Sequence, residues 1–158
     1  MSRRSISLNS LRDRNGQSGW LQTRPGEHCL IRVPAADTNG AYSLVEIVSE
    51  PGDGTPLHVH QNEDEHLLVL EGTGRFAIGD KIFDAPAGTM VTLPKNIPHA
   101  WGNRSSSWLR IAGIAYPGGV EEVLRIIAAG GVVGGSVIID IPELAESYGV
   151  IALGPAPF

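Results

Sequence analysis

Residues 52–72 read GDGTPLHVHQNEDEHLLVLEG, and this stretch decides the fold. His58 and His60 are two residues apart and lie in a short apolar run. Successive side chains of an extended strand alternate between faces, so on a strand both imidazoles point the same way. Glu65 follows five residues later, and His99 comes well downstream behind Pro98. Three imidazoles and one carboxylate form a good ligand set for a divalent transition metal. If the four converge, the chain builds a metal site inside a β-scaffold. The periodicity alone leaves open whether the pair faces inward. An outward pair is harmless, whereas an inward pair leaves ring nitrogens unpaired unless something binds them.

Outward from that stretch the chain reads as all-β. Glycine (20 residues) and proline (11) exceed their average share and punctuate short apolar runs. Strand-like segments fall at 30–33, 42–48, 56–60, 66–70, 75–78, 81–83, 90–93 and 108–115, with turn signals at Pro51-Gly52-Asp53-Gly54, Glu71-Gly72-Thr73-Gly74 and Ala85-Pro86-Ala87-Gly88. Residues 94–98 read as a loop that delivers His99. Many short strands without an early helix predict a sandwich or barrel. Helical spacing comes only at the end. Val120, Val123, Leu124 and Ile127 form an i, i+3, i+4, i+7 stripe, and Pro142 to Tyr148 is a second short helix closed by Gly149. The expected organisation is a loose N-terminal arm over 1–20, a β-barrel over 21–116 and a helical tail over 117–158 that packs on the barrel. The last residues, 151–158, are expected as a stabilising tail that could also cover the barrel mouth.

Composition excludes several function classes. The net charge of −5 comes from scattered acids, so no basic face is on offer to nucleic acid or an anionic membrane. No apolar run is long enough to span a bilayer, and the polar N-terminal residues lack the apolar centre of a secretory signal. A cytoplasmic protein is expected. Cys29 is the only cysteine, so no intramolecular disulfide forms, and it reads as a small buried hydrophobe.

The spacing sharpens the metal reading. Gly52, His58, His60, Glu65 and Gly72 make one block; Gly79, Pro86, Gly88, His99 and Asn103 make a second. Chance agreement at five such offsets is expected in well under about one chain in a thousand, given how rare histidine is. On these two blocks the chain resembles small single-domain bacterial cupins of the cupin 2 conserved barrel type, quercetin-dioxygenase-like, over about residues 40–115. The resemblance implies a double-stranded β-helix, a jelly-roll barrel, with a short C-terminal helical extension. It also implies that His58, His60, Glu65 and His99 bind one divalent ion (Fe, Mn, Ni, Co, Cu or Zn) in the barrel mouth, and that the chain forms a homodimer. Glu65 doubles as the candidate catalytic base. Glu63, on the same face by strict alternation, is the fallback ligand, and His66 should face away. Phe76, Phe83, Met90 and Trp101 are candidates to line a ligand cavity, Trp101 foremost because it lies two residues beyond His99. Asn103 either buttresses the loop or is a turn residue.

The activity such a site suggests is metal-dependent dioxygenation of a small enolisable or hydroxylated substrate, flavonol-like, with a small molecule as the partner. A non-enzymatic ligand-binding or structural metal protein, or a sugar isomerase or epimerase, is the alternative. The last predicts basic groups near the mouth, for which Arg75, Lys81, Arg104 and Arg110 are candidates.

Overall fold

The computed structural model describes residues 19–130, 132, 133, 136, 137 and 141–158. The arm expected over 1–20 lies outside the described residues except for Gly19 and Trp20. In chain order the strands are β1 (Leu21–Arg24), β2 (Glu27–Val33), β3 (Ser43–Ser49), β4 (Leu57–His60), β5 (Asp64–Glu71), β6 (Thr73–Ile78), β7 (Lys81–Pro86), β8 (Met90–Leu93), β9 (His99–Gly102) and β10 (Leu109–Tyr116). Then come helix α1 (Glu121–Ala128), the two-residue strands β11 (Val132–Val133) and β12 (Ser136–Val137), helix α2 (Ile141–Ser147) and strand β13 (Val150–Gly154).

Two antiparallel sheets form the barrel, ordered β1-β2-β3-β10-β5-β8 and β13-β4-β9-β6-β7. This is the jelly-roll architecture of a double-stranded β-helix. Alternation explains which side chains fill it. On β5, Leu67 and Val69 point inward while Leu70 is exposed; on β8, Val91 and Leu93 are buried and Met90 is not. Leu67, Val69, Phe76, Ala85, Val91, Leu93, Trp101, Leu109 and Ile111 make one core between the sheets. The β5–β6 turn requires Gly72, whose φ of +79° suits glycine and where a Cβ would run into the Trp108 carbonyl oxygen.

Two departures from the sequence reading matter for the site. Residues 99–102, expected at the end of a loop, form β9, with His99 directly opposite His58 on β4. The chain also returns to the barrel after its helices. Residues 150–154, expected within a helical tail, form β13 and pair with β4 through Val150–His60, Ile151–Val59 and Ala152–His58. The run Val-Ile-Ala-Leu is short and lies between Gly149 and Gly154, so its strand character depends on a β4 edge that the sequence does not display. Helix α1 packs on β1 and α2 on β13, so the tail closes the side of the barrel opposite β7 and β8. Glu121 secures the start of α1: its buried carboxylate accepts hydrogen bonds from the Ala35 and Gly119 backbone N–H groups at 2.7 and 2.8 Å. Among the described residues no helix is long and apolar enough to cross a membrane.

Candidate metal centre

His58 and His60 project from β4, His99 from β9 beside it, and Glu65 from β5 in the facing sheet. The ring centroids of His58, His60 and His99 lie 4.4 to 5.3 Å apart. One ligand atom from each of the three histidines lies within 4.8 Å of the others. Glu65 Oε2 stands 3.5 Å from both His60 Nε2 and His99 Nε2. The structure thus gathers the three histidines singled out by the spacing, with Glu65 beside His60 and His99.

The outer nitrogen of each ring is held by an acceptor. His58 Nδ1 bonds the Pro56 carbonyl at 2.8 Å, His99 Nδ1 bonds the Ile97 carbonyl at 3.1 Å, and His60 Nδ1 bonds the Glu63 carboxylate. A carbonyl or carboxylate oxygen can only accept, so each Nδ1 carries a proton, and Nε2 is the atom through which a neutral ring can ligate. The three Nε2 atoms and a carboxylate therefore face one another. Among the described residues His99 Nε2 is buried without a hydrogen-bond partner, its nearest charged group being Glu65 Oε2 at 3.5 Å, a costly arrangement unless an ion sits there. The donor set fits a divalent transition metal: ligand atoms about 2.1 Å from a common ion lie up to about 4.2 Å apart, close to the spread seen here.

Electrostatics agree with that use. Burial, reinforced by the His99 imidazole, pushes the His58 pKa down to about 4, so this ring is neutral and able to ligate at neutral pH. Burial would raise the Glu65 pKa, but the His99, His60 and His58 imidazoles outweigh it and hold the carboxyl below its ordinary range. His60 moves the other way: burial opposes its protonation, and the Glu63 and Glu65 carboxylates reverse that and raise its pKa.

The loop from 94 to 98 is anchored at three places, which fixes the approach of His99. Asn96 N–H donates to the His60 carbonyl at 2.7 Å, Lys95 N–H to Asp64 Oδ1 at 2.8 Å, and Gly79 N–H to the Pro98 carbonyl at 2.9 Å. Asn103 is fully buried and buttresses the neighbouring loop. Its Nδ2 donates to the Ser49 and Ser107 carbonyls, and its Oδ1 accepts from Ser105.

Some sequence expectations need correction. Glu63, the fallback ligand, bonds the far nitrogen of His60, away from the Nε2 atoms that face Glu65. Strict alternation does not reach it, because β5 begins at Asp64 and Glu63 lies just before the strand. His66 lies on the other face, as expected, bonded to Thr92 and Tyr116.

A cavity of about 320 Å³ opens beside the cluster, between the sheets and beneath the tail. Trp101 lines it together with the three histidines and Glu65, but Phe76, Phe83 and Met90 do not. Phe76 is a core residue stacked on Phe83, toward the β6–β7 edge and away from the β4 side where the cavity lies, and Met90 faces outward. The lining that sequence reasoning missed comes from other elements. Val45 and Ile47 contribute from β3, and the α1 stripe Val120, Val123, Leu124 and Ile127 forms a wall. Alternation in β3 and the helical stripe signal burial of these residues, but not what they are buried against.

Comparison with known proteins follows the same lines. Residues 45–113 match the family described as "Cupin domain". The chain is 31% identical over 85 residues to the uncharacterized protein MJ1618 of Methanocaldococcus jannaschii, covering 54% of this chain and 68% of that protein. It is 24% identical over 97 residues to quercetin 2,3-dioxygenase of Bacillus subtilis, covering 61% of this chain and 28% of that enzyme. The chain spans between 15% and 68% of the length of the curated relatives it matches. Among solved structures, KdgF from Halomonas sp. superposes with a TM-score of 0.59 at 14% identity, covering 65% of this chain and 89% of that one. That last likeness is one of fold.

Proposed function

The chain belongs to the cupin family, and from that premise we propose that it is a metal-dependent dioxygenase acting on a small enolisable or hydroxylated organic molecule. The observation that carries the reading is the clustering of the His58, His60 and His99 imidazoles, with Glu65 Oε2 3.5 Å from His60 Nε2 and His99 Nε2. The partial similarity to a quercetin dioxygenase supports the choice of reaction.

His58, His60, His99 and Glu65 would hold the ion. A divalent ion supplies Lewis-acid polarisation of a substrate oxygen and makes its hydroxyl easier to ionise. The remaining work falls to the chain itself. Glu65, kept ionised by its imidazole neighbours, accepts the substrate hydroxyl proton at a carboxylate oxygen. Glu63 fixes the His60 ring and its tautomer, and the Pro56 and Ile97 carbonyls do so for His58 and His99. Trp101 and the apolar walls exclude water from the deprotonated, electron-rich substrate. Dioxygen is the oxidant, and both its oxygen atoms enter the product.

The test is oxygen uptake by protein reconstituted in turn with Fe, Mn, Co, Ni and Cu, offered flavonols and diketones. Uptake that is stoichiometric with substrate loss and abolished in Glu65→Gln is the expected result. Metal bound and no uptake across the panel would remove the oxygenase reading.

A further inference from the structure

The walls of the cavity narrow the chemistry of what enters it. Away from the histidine cluster they are hydrocarbon: Val45 and Ile47 on one side, and Val123, Leu124 and Ile127 of α1 on the other. Among the described residues Arg24 is the one permanently charged cation of the lining, and it is already committed. Its Nε donates to Asp53 Oδ1 at 2.9 Å, and its Nη2 donates to Asp53 Oδ2 at 3.1 Å and to Glu27. The guanidinium also lies over the Trp101 ring, 5.7 Å from its centroid. Two carboxylates on one guanidinium leave no surplus positive charge for an anionic ligand. Of the other polar groups of the wall, Glu27 accepts from Thr23 and Arg24 and Thr55 Oγ1 bonds the Trp101 backbone, while the buried Ser43 hydroxyl is uncharged. A phosphate or carboxylate on the body of a ligand would lose its water and gain no free cation. A hydrocarbon body loses nothing and gains the burial of its surface.

Resting on the metal centre proposed above, we infer that the ligand is an amphiphile. One oxygen-bearing head meets the His58, His60, Glu65 and His99 cluster, and an uncharged hydrocarbon body lies between β3 and α1. The described walls offer a phosphorylated small molecule no free cation. The C-terminal tail is thus the specificity wall of the site, because α1 supplies the surface that the body touches.

A series of n-alkyl hydroxamates, from aceto- to octanohydroxamate, tests this on the metal-loaded full chain by calorimetry, with phosphoglycolohydroxamate as the charged comparison. The affinity should tighten with each added methylene, by up to about fourfold where burial is complete, until the cavity is filled. Leu124→Ser, or Ile127→Ser if the first variant folds poorly, should reduce that gain per methylene for the long chains. A series flat in chain length with acetohydroxamate bound would overturn the inference while sparing the metal centre, as would phosphoglycolohydroxamate binding tighter than acetohydroxamate. Metal-loaded protein that takes no acetohydroxamate would overturn the open metal centre and this inference with it. The gain with chain length found without any oxygen uptake would support the inference and remove only the oxygenase reaction.

Discussion

Glu63 shows how one side chain can matter to a site without entering it. Its buried carboxylate holds the Nδ1 proton of His60, so the Nε2 lone pair of that ring faces Glu65. Outer partners of this kind typically contribute about 10- to 100-fold in metal affinity. Glu63→Gln should therefore lower divalent metal affinity by about that factor in a chelator competition, with the fold intact by circular dichroism. Affinity unchanged in that variant would make the contact incidental. His58 makes a second expectation. Its folded pKa of about 4 lies below the value of 6.5 for a free imidazole, so the unfolded chain binds this proton more readily. The contribution of His58 to stability is present above about pH 6.5 and is lost as pH falls toward 4. Metal-free His58→Gln should thus lose less stability than the wild type between those values, measured by denaturant midpoints at each pH. Parallel pH profiles would contradict the assignment.

At the scale of elements, the histidine strand depends on its neighbours. β4 has only four residues, and it is held between β9 and β13. Ile151 pairs with Val59, the residue between the two histidines. A proline at 151 breaks that ladder, and Ile151→Pro should lower both the melting temperature and the metal affinity. Each kcal/mol lost corresponds to roughly 2–4 °C in a chain of this size, so a shift of several degrees is expected in a thermal melt. A melt and an affinity both unchanged would mean that β13 is decoration. The same element shows where the sequence was legible. The alternation of β5, the turns at Gly72 and Gly79 and the stripe of α1 are written locally, and the two histidine blocks carry the family likeness. β13 and the bond from Glu63 to His60 are not local. Each depends on a partner brought near by the fold, and a strand's edge or a ring's outer nitrogen leaves no periodicity to read. Phe76, Phe83 and Met90 illustrate the same limit. Apolar side chains on barrel strands look alike in sequence, and only the placement of β6 and β7 away from the cavity, and the outward face of Met90 on β8, separates these residues from lining ones.

For the molecule as a whole, the barrel and its tail divide the work. The two sheets bring four polar side chains from three strands to one point, and the returning tail builds an apolar wall beside them. Such a polar cluster costs free energy when left without an ion, so metal binding should also be folding energy. Metal at a hundredfold excess over its dissociation constant adds about 2.7 kcal/mol. The most direct measurement is the metal content of the chain purified without chelator, by elemental analysis, beside that of His99→Ala. One divalent transition-metal ion per chain, lost in the variant while its sheet content persists, is the result this account predicts. A wild-type chain that neither carries nor takes up such an ion, or a variant that retains it in full, would contradict it.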